Sequence, residues 1–387
     1  MEMTRRAALW LAGGALAAAG LGFGGDASPR DGIVDGSLAP EQAAQRPESD
    51  QLILSIGDSV ASGEGNPDVR GRIGRPPRWL LARCHRSLLS GHAQAALLIE
   101  RDDPAADVSF VPLGCSGATV HKGLLGEYLG QPKQVDQVNA LAEQREIDAL
   151  LVSVGANDAY FAPLVKRCLF ASDCPDRPFE GRPTMRLAIR DALAELSSSY
   201  DELDAALSDK IDRDRVVIVE YFDPTRGEGG RFCQLDFLGG RITPEESRWM
   251  HEEVVGPLNM VVHAAARRHG WRVVDGVDEA FDGHGVCARP EREVWARTLE
   301  QSLFRQNLNH QGGLHPNARG HRATARLIHP VLADVLGVEA SDPGDDTSGD
   351  DDEGDWLDDG DLPLVIAAGL VVVGVLVFLV LRRRQRS

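Results

Sequence analysis

Residues 52–65 read LILSIGDSVASGEG, an apolar run that ends abruptly in Gly57-Asp58-Ser59 and a glycine-rich loop. A short apolar run bounded by such a turn is typical of a buried strand in a parallel sheet. The sequence therefore predicts that the Ser59 hydroxyl lies at the carboxyl end of a strand, where open α/β sheets gather their active sites. Gly, Asp and Ser are also ordinary turn residues. A catalytic interpretation of Ser59 therefore needs partner residues further along the chain, and we expect Asp58 to be structural, bonding to backbone within the turn.

Strand-like and helical patterns alternate along the rest of the chain. Apolar runs occur at residues 52–56, 108–113, 149–154, 216–221 and 272–275. Helical patterns separate them at residues 133–144, 184–207, 244–269 and 318–336. Apolar strands that alternate with helices predict a parallel sheet of about five strands covered by helices on both faces, which is a three-layer α/β/α sandwich.

The first residues predict an export signal. Residues 1–27 combine a basic start, a modest apolar run and small residues. The pair Arg5-Arg6, directly before the apolar run, fits the twin-arginine route, whereas in a Sec signal the same arginines act only as positive charge. Both routes stay open, and so does cleavage of the signal. A polar lead-in at residues 28–50 comes next.

The other end of the chain predicts a membrane anchor. Residues 362–381 form an uncharged apolar run long enough to cross a bilayer, and residues 382–387 form a basic tail. By the positive-inside rule the tail stays cytoplasmic, so we expect a single-pass membrane protein whose folded domain, residues 51–340, is extracytoplasmic. Residues 341–361 are rich in Gly and Asp, which predicts a disordered acidic linker between domain and anchor.

Charge and cysteine content narrow the function classes. The formal net charge is −18 at pH 7, and nucleic-acid binding needs a basic surface, so we expect no nucleic-acid partner. The six cysteines of an exported chain indicate disulfides. Because it joins loops close in the sequence, we predict sequential pairing: Cys84–Cys115, Cys168–Cys174 and Cys233–Cys287. A zinc site is the alternative, but no Cys-x-x-Cys and no paired Cys/His spacing is present, and we expect neither a metal nor an organic cofactor.

Nucleophilic serine chemistry needs a base, donors for an oxyanion and a group that orients the base. Gly117 follows the second predicted strand in a loop of small residues, and Asn157 follows the third in Gly-Ala-Asn-Asp. His315 lies in His-Pro-Asn, directly before the last predicted helix. The Gly117 N–H and the Asn157 amide are candidate oxyanion donors, and His315 is the candidate base. Each also has a plainer interpretation, as a tight turn, a helix cap and a surface loop residue respectively.

Together, and in this order, these residues resemble the SGNH (GDSL) hydrolase family. Its hallmark serine, glycine, asparagine and histidine are matched by Ser59, Gly117, Asn157 and His315. The closer similarity is to the secreted, disulfide-containing actinobacterial esterases and lipases, and it spans about residues 52–336. The resemblance implies a flavodoxin-like sandwich and ester hydrolysis through an acyl-enzyme. It also implies that the Ser59 and Gly117 N–H groups and the Asn157 side chain hold the oxyanion.

One position departs from the family pattern. Many members place an aspartate three residues before the histidine, where this chain has Gly312. The branch that this chain resembles uses a main-chain carbonyl there, which implies a Ser-His dyad with the Gly312 C=O accepting the imidazole Nδ1–H. A carbonyl fixes the tautomer but brings no charge to stabilise the imidazolium. Asp282 or another carboxylate brought near in space is the alternative.

The expected function is a surface-anchored, monomeric serine ester hydrolase acting on lipid or short-chain acyl esters. An O-acetylesterase for a surface polysaccharide or wall polymer is one alternative. A non-catalytic surface binding protein on the same scaffold is the alternative of another class. We expect the loops at residues 70–79 and 169–183 to shape the substrate pocket.

Overall fold

The computed structural model describes residues 51–103 and 107–341. The predicted export signal, lead-in, anchor and basic tail lie outside the described residues, as does all of the predicted linker except Ser341. Within the described ranges, no helix has both the length and the apolar character needed to cross a membrane.

A five-stranded parallel sheet forms the centre of the fold, in the order β2-β1-β3-β4-β9, and two short hairpins, β5–β6 and β7–β8, lie outside it. The strands are β1 (Gln51–Gly57), β2 (Val108–Pro112), β3 (Ala149–Ser153), β4 (Val216–Val219), β5 (Arg226–Gly227), β6 (Arg231–Phe232), β7 (Leu235–Phe237), β8 (Gly240–Ile242) and β9 (Arg272–Val274). In the middle of the sheet, Leu54 of β1 pairs with Val111 on one side and Leu150 on the other. Every residue of β2, β3 and β4 is buried, because helices cover both faces of the sheet.

Helices make the two outer layers. They are α1 (Ser59–Ser62), α2 (Gly91–Asp102), α3 (Gln134–Ala142), α4 (Phe161–Phe170), α5 (Met185–Ala206), α6 (Pro244–Met250), α7 (Gly256–His269), α8 (Val277–Ala280), α9 (Leu299–Arg305) and α10 (Ala318–Leu336). Helices α2 and α10 pack against each other on one face, and α5 and α7 pack together on the opposite face. The predicted three-layer α/β/α sandwich with a parallel sheet of five strands is confirmed.

The predicted helix at residues 244–269 is confirmed, but a π-helical turn interrupts its regular α-helical hydrogen bonding. The structure contains α6, a π-helical turn at His251–Val255 and then α7. Pro257 has no N–H for the Glu253 carbonyl, and its ring would clash with that carbonyl in a regular α-helix. The wider turn avoids this conflict: the Gly256 N–H instead donates to the His251 carbonyl, five residues back.

Three disulfides hold the loops, and they are the three predicted pairs: Cys84–Cys115, Cys168–Cys174 and Cys233–Cys287. The first joins the loop before α2 to the loop after β2. Since structural disulfides persist in oxidising compartments, they indicate an extracytoplasmic protein.

Candidate active site

Ser59 is the first residue of α1, and buried polar groups fix the turn that carries it. The Gln134 side chain accepts a hydrogen bond from the Gly57 N–H at 2.7 Å and donates one to the Gly57 carbonyl at 3.0 Å. Asp58 Oδ1 accepts from the Val60 N–H at 3.0 Å, and Asp58 Oδ2 accepts from the Tyr221 hydroxyl at 2.6 Å. Asp58 therefore has the structural contacts expected of it, which hold Ser59 at the carboxyl end of β1.

His315 lies beside Ser59, although the two residues are 256 positions apart in the sequence. Its Nε2 is 2.7 Å from the Ser59 Oγ, and its Nδ1 is 3.1 Å from the Gly313 carbonyl oxygen. A neutral imidazole that donates from Nδ1 keeps the Nε2 lone pair for the serine hydroxyl. Ser59 and His315 thus have the geometry of a nucleophile and its general base.

The predicted role of Gly312 as the acceptor for His315 Nδ1 is wrong. The Gly312 carbonyl accepts a hydrogen bond from the His315 main-chain N–H at 3.3 Å, and the neighbouring Gly313 carbonyl accepts from the ring. Leu314 has a positive φ of 64°, which turns the backbone between these two carbonyls and the histidine. One carbonyl is therefore used to close the turn and the next one is directed at the imidazole.

Gly117 and Asn157 lie at the same edge of the sheet and line the cavity next to Ser59. Gly117 has a φ of 86°, and a Cβ there would lie 2.6 Å from the Tyr128 hydroxyl oxygen. Asn157 Nδ2 donates to the Ala118 carbonyl at 3.0 Å, which uses one of its two amide N–H groups and fixes the side chain near Ser59. The four residues that the sequence singled out are therefore brought together.

Asp282 does not supply the missing carboxylate. Its Oδ2 is 3.7 Å from Arg226 Nη1, in an ion pair away from His315. The negative charge that acts on His315 belongs to Glu64, whose side chain is fully buried. Burial lowers the pKa of His315, and the negative charge of Glu64 opposes that shift.

The sequence pattern alone assigns no role to Glu64. Its Oε2 is 2.6 Å from His85 Nδ1 and accepts from the Ser116 hydroxyl at 2.8 Å, while its Oε1 accepts from Gln306 Nε2 at 2.9 Å. These partners lie far from one another in the sequence, so their meeting is invisible before folding. A carboxylate between two glycines in the nucleophile loop was the only signal in the sequence.

A cavity of about 790 Å³ opens beside the Ser59–His315 pair, and its wall is mostly apolar. This wall is formed by residues of helix α4, the β7–β8 hairpin, the π turn, α7 and α9. Representative apolar residues are Phe161, Val165, Leu169, Val254, Leu258 and Leu303. Phe170 and Leu238, which are 61% and 72% exposed, also line it and mark its mouth.

Of the two loops expected to shape the pocket, only the start of residues 169–183 contributes. Leu169 and Phe170 line the cavity, whereas the described cavity lining contains no residue from 70–79. Residues 69–78 instead form a small hairpin closed by a bridge between Val69 and Arg78. Further parts of the cavity wall come from segments between β7 and α9, which have no recognisable pocket signature in the sequence.

Residues 55–323 match the GDSL-like Lipase/Acylhydrolase family, and the chain belongs to this family. The protein is accordingly a carboxylic ester hydrolase. A comparison with curated proteins found no significant match.

Solved structures of several hydrolases are similar to this chain. The extracellular lipase of Streptomyces rimosus is 21% identical, with 74% of this chain and 99% of that chain covered and a TM-score of 0.49. Phospholipase A1 from Streptomyces albidoflavus NA297 is 20% identical, with 73% and 98% covered and a TM-score of 0.49. A catalytic mutant of Axe2, an acetylxylan esterase from Geobacillus stearothermophilus, is 17% identical, with 77% and 99% covered and a TM-score of 0.41.

Proposed function

We propose that this protein hydrolyses carboxylic esters with apolar acyl chains, using Ser59 as nucleophile and His315 as general base. The observation that carries the proposal is the 2.7 Å contact between Ser59 Oγ and His315 Nε2 at the edge of an apolar cavity. A serine hydroxyl becomes a competent nucleophile when an adjacent base takes its proton. The adjoining cavity provides space for the acyl chain of the ester that Ser59 attacks.

The reaction proceeds in two halves. His315 Nε2 takes the Ser59 proton as Oγ attacks the ester carbonyl, and the resulting oxyanion is held by the Ser59 and Gly117 N–H groups and by Asn157 Nδ2. His315 then gives its proton to the leaving alcohol, which departs as the acyl-enzyme forms. In the second half, His315 takes a proton from water, the hydroxide attacks the acyl carbonyl, and the acid leaves as Ser59 regains its proton.

Cavity size favours a medium or long acyl chain over acetate. Its volume of about 790 Å³ is within the range that accommodates a drug-sized ligand. An acetyl group would fill little of it, and burial of apolar surface would then contribute little to binding. Burial of further methylene groups contributes about 0.8 kcal/mol each, which favours esters that reach along the wall of α4 and α7. The O-acetylesterase alternative receives no such support.

The proposed location is the outer surface of the membrane. Residues 362–381 would anchor the chain, residues 382–387 would remain cytoplasmic, and residues 341–361 would tether the hydrolase domain, residues 51–340. A tag placed after Ser387 should be inaccessible from outside intact cells, whereas protease should release the domain. External access to that tag would contradict the proposed topology.

Hydrolysis of p-nitrophenyl esters from acetate to palmitate by the full-length protein tests the proposed function. Ser59→Ala and His315→Ala should each abolish turnover, and His269→Ala should retain it, because His269 pairs with Asp201 at the end of α7, outside the cavity lining. The optimum chain length should lie above acetate. Wild-type protein that turns over no ester and does not react with a serine-directed fluorophosphonate would contradict the proposal.

A further inference from the structure

Glu64 is a buried carboxylate that joins three loops of the active site. It belongs to the loop of the nucleophile, close behind α1. Its Oε2 is 2.6 Å from His85 Nδ1 and 2.8 Å from the hydroxyl of Ser116, the residue before Gly117. Its Oε1 is 2.9 Å from Gln306 Nε2. The carboxylate is thus held from both oxygens, as a buried charge requires.

The same carboxylate is connected to the loop that carries the base. Gln306 Oε1 accepts the Gly312 N–H at 3.2 Å, and the Gly312 carbonyl accepts the His315 N–H at 3.3 Å. The backbone next to Glu64 also contacts this loop. A Cβ on Gly65 would lie 3.1 Å from His315 Cβ and 2.4 Å from the Pro316 carbonyl oxygen, so only glycine permits this approach. A displacement of Glu64 would therefore be passed to His315.

The charged groups around Glu64 and His315 show how Glu64 affects the protonation of His315. Burial opposes ionisation of Glu64, but the hydrogen bond from His85 and the charges of His85 and His315 hold its pKa at about 2. His321 Nε2 donates to the Glu64 carbonyl, and burial lowers the pKa of His321 to about 4, so its ring is neutral near pH 7. Arg297 donates to the carbonyl of the next residue. Among the described carboxylates, Glu64 is thus the one whose charge favours protonated His315, while positive charge on His85 disfavours it.

We propose that Glu64 is the positioning carboxylate for His315, and that it takes over from inside the nucleophile loop the part that an aspartate at position 312 would play. The proposal rests on the proposed Ser59–His315 dyad. Glu64 acts in two ways. Through Gln306 and Gly312 it holds the loop of the base against Ser59, and through its buried charge it stabilises the imidazolium that forms when His315 takes a proton. It does not touch the reacting atoms.

Phosphonylation of Ser59 by a fluorophosphonate probe in the full-length protein tests this role, because the reaction needs an activated hydroxyl but no known ester substrate. The rate is measured from pH 4 to 9 for wild type, Glu64→Gln and His85→Asn. Glu64→Gln keeps the size of the side chain and removes its charge, whereas His85→Asn keeps a donor near Nδ1 and removes a ring that carries positive charge only when protonated.

The two variants should shift the acid limb of the pH profile in opposite directions. Glu64→Gln should move it to lower pH, by on the order of half a unit, because the imidazolium loses its anionic partner. His85→Asn should move it to higher pH, because the carboxylate then acts on His315 without an opposing charge. Glu64→Gln should also lower the plateau rate by about 10-fold or more, since a misplaced base is inefficient.

Asp102→Asn is the matched control. Asp102 is also a buried carboxylate in contact with a histidine, 2.6 Å from His329 Nε2, but it lies at the far end of α2 from the active site. The Asp102→Asn substitution should reduce the stability of the protein and leave both the acid limb and the plateau rate of the reaction unchanged. An equal effect of Asp102→Asn on the pH profile would show that any buried carboxylate–histidine pair acts in this way and would overturn the proposal.

Failure of the dyad and failure of the Glu64 role give different results. If wild type does not react with the probe, the proposed dyad itself fails. If wild type reacts and folded Glu64→Gln reacts with the same plateau rate and the same acid limb, the role of Glu64 fails and the dyad stands. Near-ultraviolet circular dichroism establishes folding. If Glu64→Gln does not fold, His85→Asn decides alone: an acid limb that does not move upward overturns the proposal.

Discussion

Replacing Asp58 with asparagine should stabilise the protein increasingly as pH rises. The Asp58 carboxyl is fully buried behind Ser59. Burial raises its pKa from 3.8 to about 7, although the hydrogen bonds from Tyr221 and Val60 act in the opposite direction. Asparagine has nearly the same shape and retains an oxygen for the Val60 N–H, but it never becomes charged. The substitution therefore removes the cost of a buried charge with little change in packing.

The size of the effect is set by proton linkage. Between pH 3.8 and about 7 the folded protein binds more protons at Asp58 than the unfolded chain does, so the free energy of unfolding falls as pH rises through this window. One pKa unit corresponds to about 1.4 kcal/mol. At pH 5 only part of the penalty is present, and by pH 8 it is complete. The stability advantage of Asp58→Asn should therefore grow by on the order of 2 kcal/mol between pH 5 and pH 8.

Urea unfolding followed by circular dichroism at pH 5, 6, 7 and 8 measures this difference directly. Tyr221→Phe is the companion variant. It removes the hydroxyl that donates to Asp58 at 2.6 Å, so the pKa of Asp58 should rise further and the fall in stability should continue to higher pH. If Asp58→Asn changes the free energy of unfolding equally at pH 5 and pH 8, the carboxyl is already ionised in the folded protein at pH 5, and its pKa is not raised by burial.

Three further predictions concern the oxyanion loop, the cavity mouth and the core. Gly117→Ala should lower kcat about 10-fold or more, because φ is 86° and the new Cβ would meet the Tyr128 hydroxyl at 2.6 Å. Adding Tyr128→Phe removes the steric clash and should recover only part of the activity. Full recovery would show that backbone strain at position 117 plays no part. Phe170 and Leu238 are 61% and 72% exposed. Replacing both with serine should reduce hydrolysis of esters presented in vesicles and leave hydrolysis of a soluble ester unchanged. An equal loss of activity on the two kinds of substrate would contradict a role of these side chains in contacting lipid. Burial lowers the pKa of His92 to about 3, so His92 should lower the free energy of unfolding as pH falls from 6.5 towards 3. His92→Asn should make the free energy of unfolding less dependent on pH in this range. An unchanged pH dependence would show that other groups cause it.

The sheet was predictable because each long strand is a continuous apolar run in the sequence. Runs such as residues 149–154 are continuously apolar, and in the structure β3 (Ala149–Ser153) is buried throughout between two layers of helices. The short hairpins were not predictable, since β5 and β6 have two residues each and pair only where the neighbouring loops place them. The π turn at His251–Val255 could have been suspected from Pro257, whose missing N–H forbids a regular helix there.

Strand and turn patterns in the sequence are enough to specify the class of fold and the residues at the carboxyl edge of the sheet. Parallel strands end at one edge of a sheet, so Ser59, Gly117 and Asn157, which each come after a strand, had to lie near one another. Folding directs the Gly313 carbonyl, rather than the Gly312 carbonyl, at the imidazole, because the direction depends on the backbone torsion of Leu314. Likewise, Glu64 gained its partners, and the cavity its apolar wall, only when distant segments packed together. The order of residues along the chain indicates strands and turns. The burial of a side chain and its distance from a charged group depend on contacts between distant segments, which no local sequence pattern shows.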